Sequence, residues 1–147
     1  MMWEKVLSLL VLLSSGVSGG WLWAAEPPAD RIVVMYFHRT QRCPTCMRME
    51  AYARQALQEA FPEQLQAGQI AFYSIDFQDP QNARLTKAYQ VSAPSLIVVR
   101  VVNHKGVEFK NLQEIWLKVR DQKEYFQYVQ KEVAGYLPKS TPPTATQ

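Results

Sequence analysis

The chain has 147 residues, 48% hydrophobic, 20% charged and 12% aromatic. That is the length of one ordinary domain, and the composition excludes collagen-like, wholly disordered and polytopic membrane chains. Lys and Arg number 16 against 13 Asp and Glu, a net charge of +3. With so small an excess and no basic run, no nucleic-acid partner is expected.

The first 25 residues set themselves apart. A charged start, Glu4-Lys5, precedes the apolar block from Val6 to Leu13 and the small residues from Ser14 to Gly20. This order reads as a secretory signal, with cleavage after Ser18 or Gly20 leaving small residues at the recognition positions. The alternative is a retained anchor, because Val6 to Ala25 is long enough to span a bilayer, with Trp21 and Trp23 at the far interface. Either way the domain is expected in the periplasm or another extracytoplasmic space, secreted or anchored, where a cysteine pair can serve as a redox element. A cytosolic chain is the third alternative. Residues 26–30, with Pro27 and Pro28, read as an extended linker.

Residues 31–37, a β-branched and aromatic run, predict a strand buried on both faces. Residues 38–42 predict a polar loop. Met49, Tyr52, Ala53, Ala56, Leu57 and Ala60 recur at helical spacing and predict an amphipathic helix, ended by Phe61-Pro62. A second strand follows over 69–76, then Asp79-Pro80 as cap and first residue of a helix running to about Tyr89. Residues 95–102 predict a third strand. Asn103 to Gly106 has turn chemistry, and 107–110 returns as a fourth strand. Residues 112–137 predict one long helix or two shorter ones, with Ile115, Trp116, Val119, Phe126, Val129, Val133 and Leu137 as the core stripe. From Pro138 the polar tail is expected to be disordered. The order β-α-β-α-β-β-α implies an α/β domain over 31–137, with parallel strands joined by crossovers and an antiparallel edge from the closing hairpin.

The only two cysteines, Cys43 and Cys46, fall where the first strand gives way to the first helix. A Cys-x-x-Cys in that place reads as a redox motif. The helix N-terminus favours a thiolate, and Arg39, Arg42 and Arg48 flank the pair with no acid between Asp30 and Glu50. Both influences lower a thiol pKa. Cys43 is expected to be the exposed attacking thiol and Cys46, one turn on, the resolving thiol. Pro44 suits the first helical turn, and Thr45 completes the motif. The alternatives are an inert bridge, half of a zinc site with His38 or His104, and a soft-metal thiolate site. Pro94, just before the third strand, is expected to follow a cis Ala93–Pro94 bond, with an ordinary trans turn as the alternative. His38 is either a satisfied loop side chain or a base within reach of the thiols.

With Cys43-Pro44-Thr45-Cys46, a proline before strand three and this element order, the chain resembles the thioredoxin superfamily over about residues 31–137. The resemblance implies a thioredoxin-like fold with a central mixed sheet. It implies Cys43 as nucleophile, Cys46 as resolving thiol and Pro94 as the proline that faces the disulfide and helps hold an extended substrate strand. Tyr36-Phe37-His38-Arg39-Thr40, Arg42 before the motif, Glu50-Ala51-Tyr52-Ala53, Lys110-Asn111-Leu112 and Ile115-Trp116 look like the bacterial family called the nitrophenyl-compound nitroreductase subunit ArsF family. That resemblance implies a link to arsenic-resistance systems and a membrane partner. Thioredoxin itself carries a buried acid and a lysine beneath the resolving thiol, where this chain has Tyr36 and about Phe72.

These readings together predict a thiol–disulfide oxidoreductase acting on a protein disulfide or dithiol, with no cofactor. The competing expectations are a carrier of a soft metal or metalloid between the two thiols, and a redox or adaptor subunit of a membrane complex.

Overall fold

The computed structural model describes residues 25–138. The segment read as a signal or anchor and all but Pro138 of the polar tail lie outside the described residues. Within them, no helix is long and apolar enough to cross a membrane.

Strand β1, Arg31–His38, has six consecutive buried residues because it is covered on both faces and both edges. It pairs in parallel with β2, Ile70–Asp76, and antiparallel with β3, Ser95–Val102. β4, Lys105–Asn111, closes the order β2-β1-β3-β4. Successive side chains of a strand point to opposite faces. Ile32, Val34 and Tyr36 accordingly join Leu96 and Val98 in the larger core, under helices α1, Pro44–Ala60, and α5, Gln122–Ala134. Val33, Met35 and Phe37 join Ile97, Val99 and Val101 in a second, thinner core beside Leu85 and Tyr89.

The expectation of parallel crossovers fails at β3. After β2 come a short 3-10 turn, Pro80–Asn82, and α3, Ala83–Ala88. A six-residue helix is about 9 Å long, whereas an eight-residue strand spans about 26 Å. The helix does not carry the chain back along the sheet. Ser95 therefore enters opposite Phe37, at the end where β1 and β2 finish, and β3 runs antiparallel. The fold is the mixed-sheet, thioredoxin-like arrangement.

Two local features also depart from expectation, and a third decides between open alternatives. Phe61-Pro62 does not simply stop α1: Pro62 begins the short helix α2, Pro62–Gln66. The hairpin turn shrinks to Asn103 and His104, both at positive φ (50° and 63°), because a two-residue turn of this twist requires that region at both positions. The C-terminal stripe splits into α4, Ile115–Lys118, and α5, restarted by the Asp121 cap. Only Ile115 is buried in the one-turn α4, so Trp116 faces outward and is 43% exposed rather than part of the core. Phe126 is half-buried against Tyr52, and Tyr125 fills the interior instead.

Residues 28–30 are tied to the domain. Arg31 donates to the Pro28 carbonyl, Asn103 N–H to Asp30 Oδ1 and His104 N–H to the Ala29 carbonyl.

Candidate redox site

Cys43 is the N-cap of α1. Its backbone is extended, and its Sγ accepts a hydrogen bond from Cys46 N–H at 3.1 Å. Pro44 takes the first helical position, where no backbone donor is needed, and Thr45 is half-buried in the first turn. Cys43 and Cys46 are joined as a disulfide, their Cα atoms 5.1 Å apart. The two sulfurs are not equivalent: Cys43 is exposed and Cys46 is buried. Of the two residues, Cys43 is the one open to solvent. The first turn of α1 carries no acid, so the helix dipole acts unopposed on a charge at Cys43.

The loop ahead of Cys43 is held by the end of β2. Thr40 Oγ1 donates to Asp76 Oδ2 at 2.6 Å, and Thr40 N–H donates to Gln78 Oε1 at 3.1 Å. The Thr40 bond is the main influence holding the Asp76 carboxyl below its usual range. His38 Nδ1 donates to the Arg39 carbonyl at 2.8 Å, which uses that ring nitrogen within the loop.

The cationic edge is partly neutralised. Arg42 is ion-paired with Glu50, and Arg54 reaches the other Glu50 oxygen at 3.4 Å. Burial pushes the Glu50 carboxyl up, but hydrogen bonds from Arg42, Ser74 and Arg54 and the charge of Arg42 outweigh it, leaving the pKa lowered. Arg39 and Arg48 are exposed and make no ion pair among the described residues. The sequence signal for Glu50 was its place one helical turn beyond Cys46 and two beyond Arg42.

Beneath the disulfide, Tyr36 is fully buried and its hydroxyl donates to the Cys46 carbonyl at 2.8 Å. Tyr125 does the same from α5 to the Met49 carbonyl, also at 2.8 Å. Burial pushes both phenols well above their usual range, so both stay protonated donors. Tyr125 lies four residues before Val129 and eight before Val133, a spacing that would have placed it in the core stripe.

Pro94 is buried at the head of β3, beside the end of β1 from which the loop to Cys43 departs. The expected cis bond is absent: among the described residues every peptide bond is trans. Pro94 precedes the first ladder residue, so its missing N–H costs the sheet nothing in the trans form. Both carbonyls of the turn are occupied. Ser95 Oγ donates to Ala93 O at 2.7 Å, and Trp116 Nε1 donates to Pro94 O at 3.2 Å. Among the described residues no three metal-ligating side chains converge.

No known family profile matches the chain, and no curated protein matches it. Solved structures do. Human ERp44 is 14% identical with a TM-score of 0.47, over 73% of this chain and 25% of ERp44. Fasciola hepatica thioredoxin is 22% identical with a TM-score of 0.38, over 64% of this chain and 81% of that one. The Deadhead thioredoxin of Drosophila melanogaster is 21% identical with a TM-score of 0.39, over 55% of this chain and 68% of that one.

Proposed function

We propose that the domain is a thiol–disulfide oxidoreductase acting on protein substrates. The observation that carries this reading is the asymmetry of the bridge: an exposed sulfur at the helix cap joined to a buried one a turn later. In the oxidised form a substrate thiolate attacks Cys43 Sγ. The Cys43–Cys46 bond breaks and Cys46 leaves as a thiolate, whose burial makes it reclose readily. The substrate's second thiolate then attacks the substrate sulfur of the mixed disulfide and releases Cys43. The substrate gains a disulfide and the domain gains two electrons. The reverse sequence reduces a substrate disulfide, and the potential of the pair sets the direction.

The reading extends to place and partner. The charged start, apolar block and small residues of the first 20 positions support an extracytoplasmic site of action. The resemblance to the ArsF family supports a membrane-protein partner and a role beside an arsenic-resistance system.

Replacing Cys46→Ser should accumulate thiol-sensitive mixed disulfides with partner proteins in the native compartment, and Cys43→Ser should abolish exchange. A Cys46→Ser protein that captures nothing there refutes the reading. The potential is a second measure. A value between about −120 and −270 mV marks a cycling pair, and one below about −300 mV marks a structural bridge.

A further inference from the structure

The first turn of α1 is held from two sides. On its outer side, Cys46 N–H donates to Cys43 Sγ at 3.1 Å and Met47 N–H donates to Cys43 O at 3.0 Å. On its inner side, the Tyr36 hydroxyl of β1 donates to Cys46 O at 2.8 Å. Cys46 O and Met47 N–H belong to one peptide unit. A donor on the carbonyl of that unit strengthens the bond its N–H makes to Cys43, because hydrogen bonds in a chain polarise one another. Tyr36 is fully buried in a strand with six consecutive buried residues, so its hydroxyl is carried by a firmly packed part of the fold.

In the oxidised protein the Cys43–Cys46 bond itself closes this turn. Reduction removes that clamp, and an unheld helix end frays. What then keeps the Cys46 amide on the Cys43 sulfur is the hold on Cys46 from β1. Tyr125 supplies an internal comparison. It too is fully buried, and its hydroxyl donates to an α1 carbonyl, that of Met49, at 2.8 Å. Met49 lies three residues beyond Cys46, about 4.5 Å further along the helix axis and past the span the bridge closes. The Tyr125 bond holds α1 alike whether the bridge is open or shut.

We propose that Tyr36 is a positioning residue of the redox site: through the Cys46 carbonyl it holds the first turn of α1 when the disulfide opens, keeps the Cys46 amide on the Cys43 thiolate, and so favours the reduced form. The proposal rests on the exchange activity proposed above and names a residue that sets its balance. The unfolded chain has neither tyrosine bond. Any excess cost of a variant in the reduced form over the oxidised form therefore appears in full as a shift of the redox equilibrium. Arg42 of the loop and Glu50 of α1 act on the Tyr36 hydroxyl, which in turn acts on Tyr125 of α5. Glu50 stays ionised and Tyr125 protonated at pH 7, so a comparison there reads a hydrogen bond and not a titration.

The test equilibrates the full chain at pH 7 with graded ratios of reduced to oxidised dithiothreitol and counts free thiols by alkylation and mass. In Tyr36→Phe the equilibrium constant for reduction should fall about fivefold, the worth of one hydrogen bond, which at about 30 mV per tenfold is about 20 mV more negative. Tyr125→Phe should leave the constant within about twofold of the parent, although each variant loses a buried hydrogen bond and should lower the urea midpoint of the oxidised protein. A Tyr36→Phe constant within about twofold of the parent, a shift in the other direction, or an equal shift in Tyr125→Phe overturns the proposal. If Tyr36→Phe does not fold, the reduced parent carries the test. Its Cys46 and Met47 amides should exchange with solvent at least about tenfold more slowly than unbonded amides, and exchange at the unbonded rate overturns the proposal. The parent's own potential judges the other reading separately. Below about −300 mV the pair is structural and the exchange activity falls, while Tyr36 is still judged by the shift alone.

Discussion

At the scale of single residues, the acid that matters near the disulfide is Glu50, and its role depends on its neighbours. Its folded pKa is held below the ordinary 4.5. Such a carboxylate stabilises the fold fully above its unfolded pKa, and the contribution is lost as pH falls through the lower folded value. Glu50→Gln should therefore cost about 2 kcal/mol at neutral pH, the worth of charged hydrogen bonds in a part-buried setting. The difference from the parent should close in more acidic solution. Urea unfolding of both proteins over a descending pH series checks this, and a gap that does not narrow as pH falls would show that charge is not what Glu50 contributes. Its position one turn past Cys46 was legible in the sequence; its two arginine partners were not, because Arg54 was exposed-face helix and Arg42 was loop. The two buried tyrosines teach the same lesson. Tyr36 was legible as strand, but its hydrogen bond to Cys46 requires α1 to lie across β1.

At the scale of elements, caps and turns decided where regular structure stops. Asp121 restarts the chain after α4: its Oδ1 accepts from Glu124 N–H at 3.0 Å, and α5 follows directly. Asp121→Ala should lower stability by about 1 kcal/mol, seen as a lower urea midpoint with an unchanged slope. The loss should also loosen the packing of α5 on α1, since Tyr125 and Gln130 of α5 donate to the carbonyls of Met49 and Ala56. The break between α4 and α5 was left open by periodicity, which continues across 112–137 without interruption. The orientation of Trp116 followed from that break. In a single long helix it belongs to the stripe, and in a one-turn helix with Ile115 buried it turns out to solvent.

At the scale of the molecule, the sheet separates two poles. Cys43 follows the finishing end of β1, while Ala29 and Asp30 bond to the turn between β3 and β4 at its starting end. Eight strand residues put about 26 Å between them. Ala29 and Asp30 are thus fixed at the pole away from the disulfide. A compact fusion partner placed immediately before Ala25 should leave the exchange rate of Cys43 with a small neutral disulfide within about twofold of the unfused chain. A much larger loss would show that the N-terminal side reaches the site.

The sequence by itself determined the strands and the first helix, because their signals are local: apolar runs, helical spacing, and a proline and two cysteines at a helix start. It also determined which atoms can react, since only two thiols exist. Tertiary structure alone decided the direction of β3, the trans state of the Ala93–Pro94 bond and the pairing of Arg42 with Glu50. Each of these depends on where distant segments meet. A short helix that stops before it can cross the sheet, a proline placed just outside a ladder and a loop arginine brought onto a helix carboxylate are consequences of packing, and no window of sequence contains them.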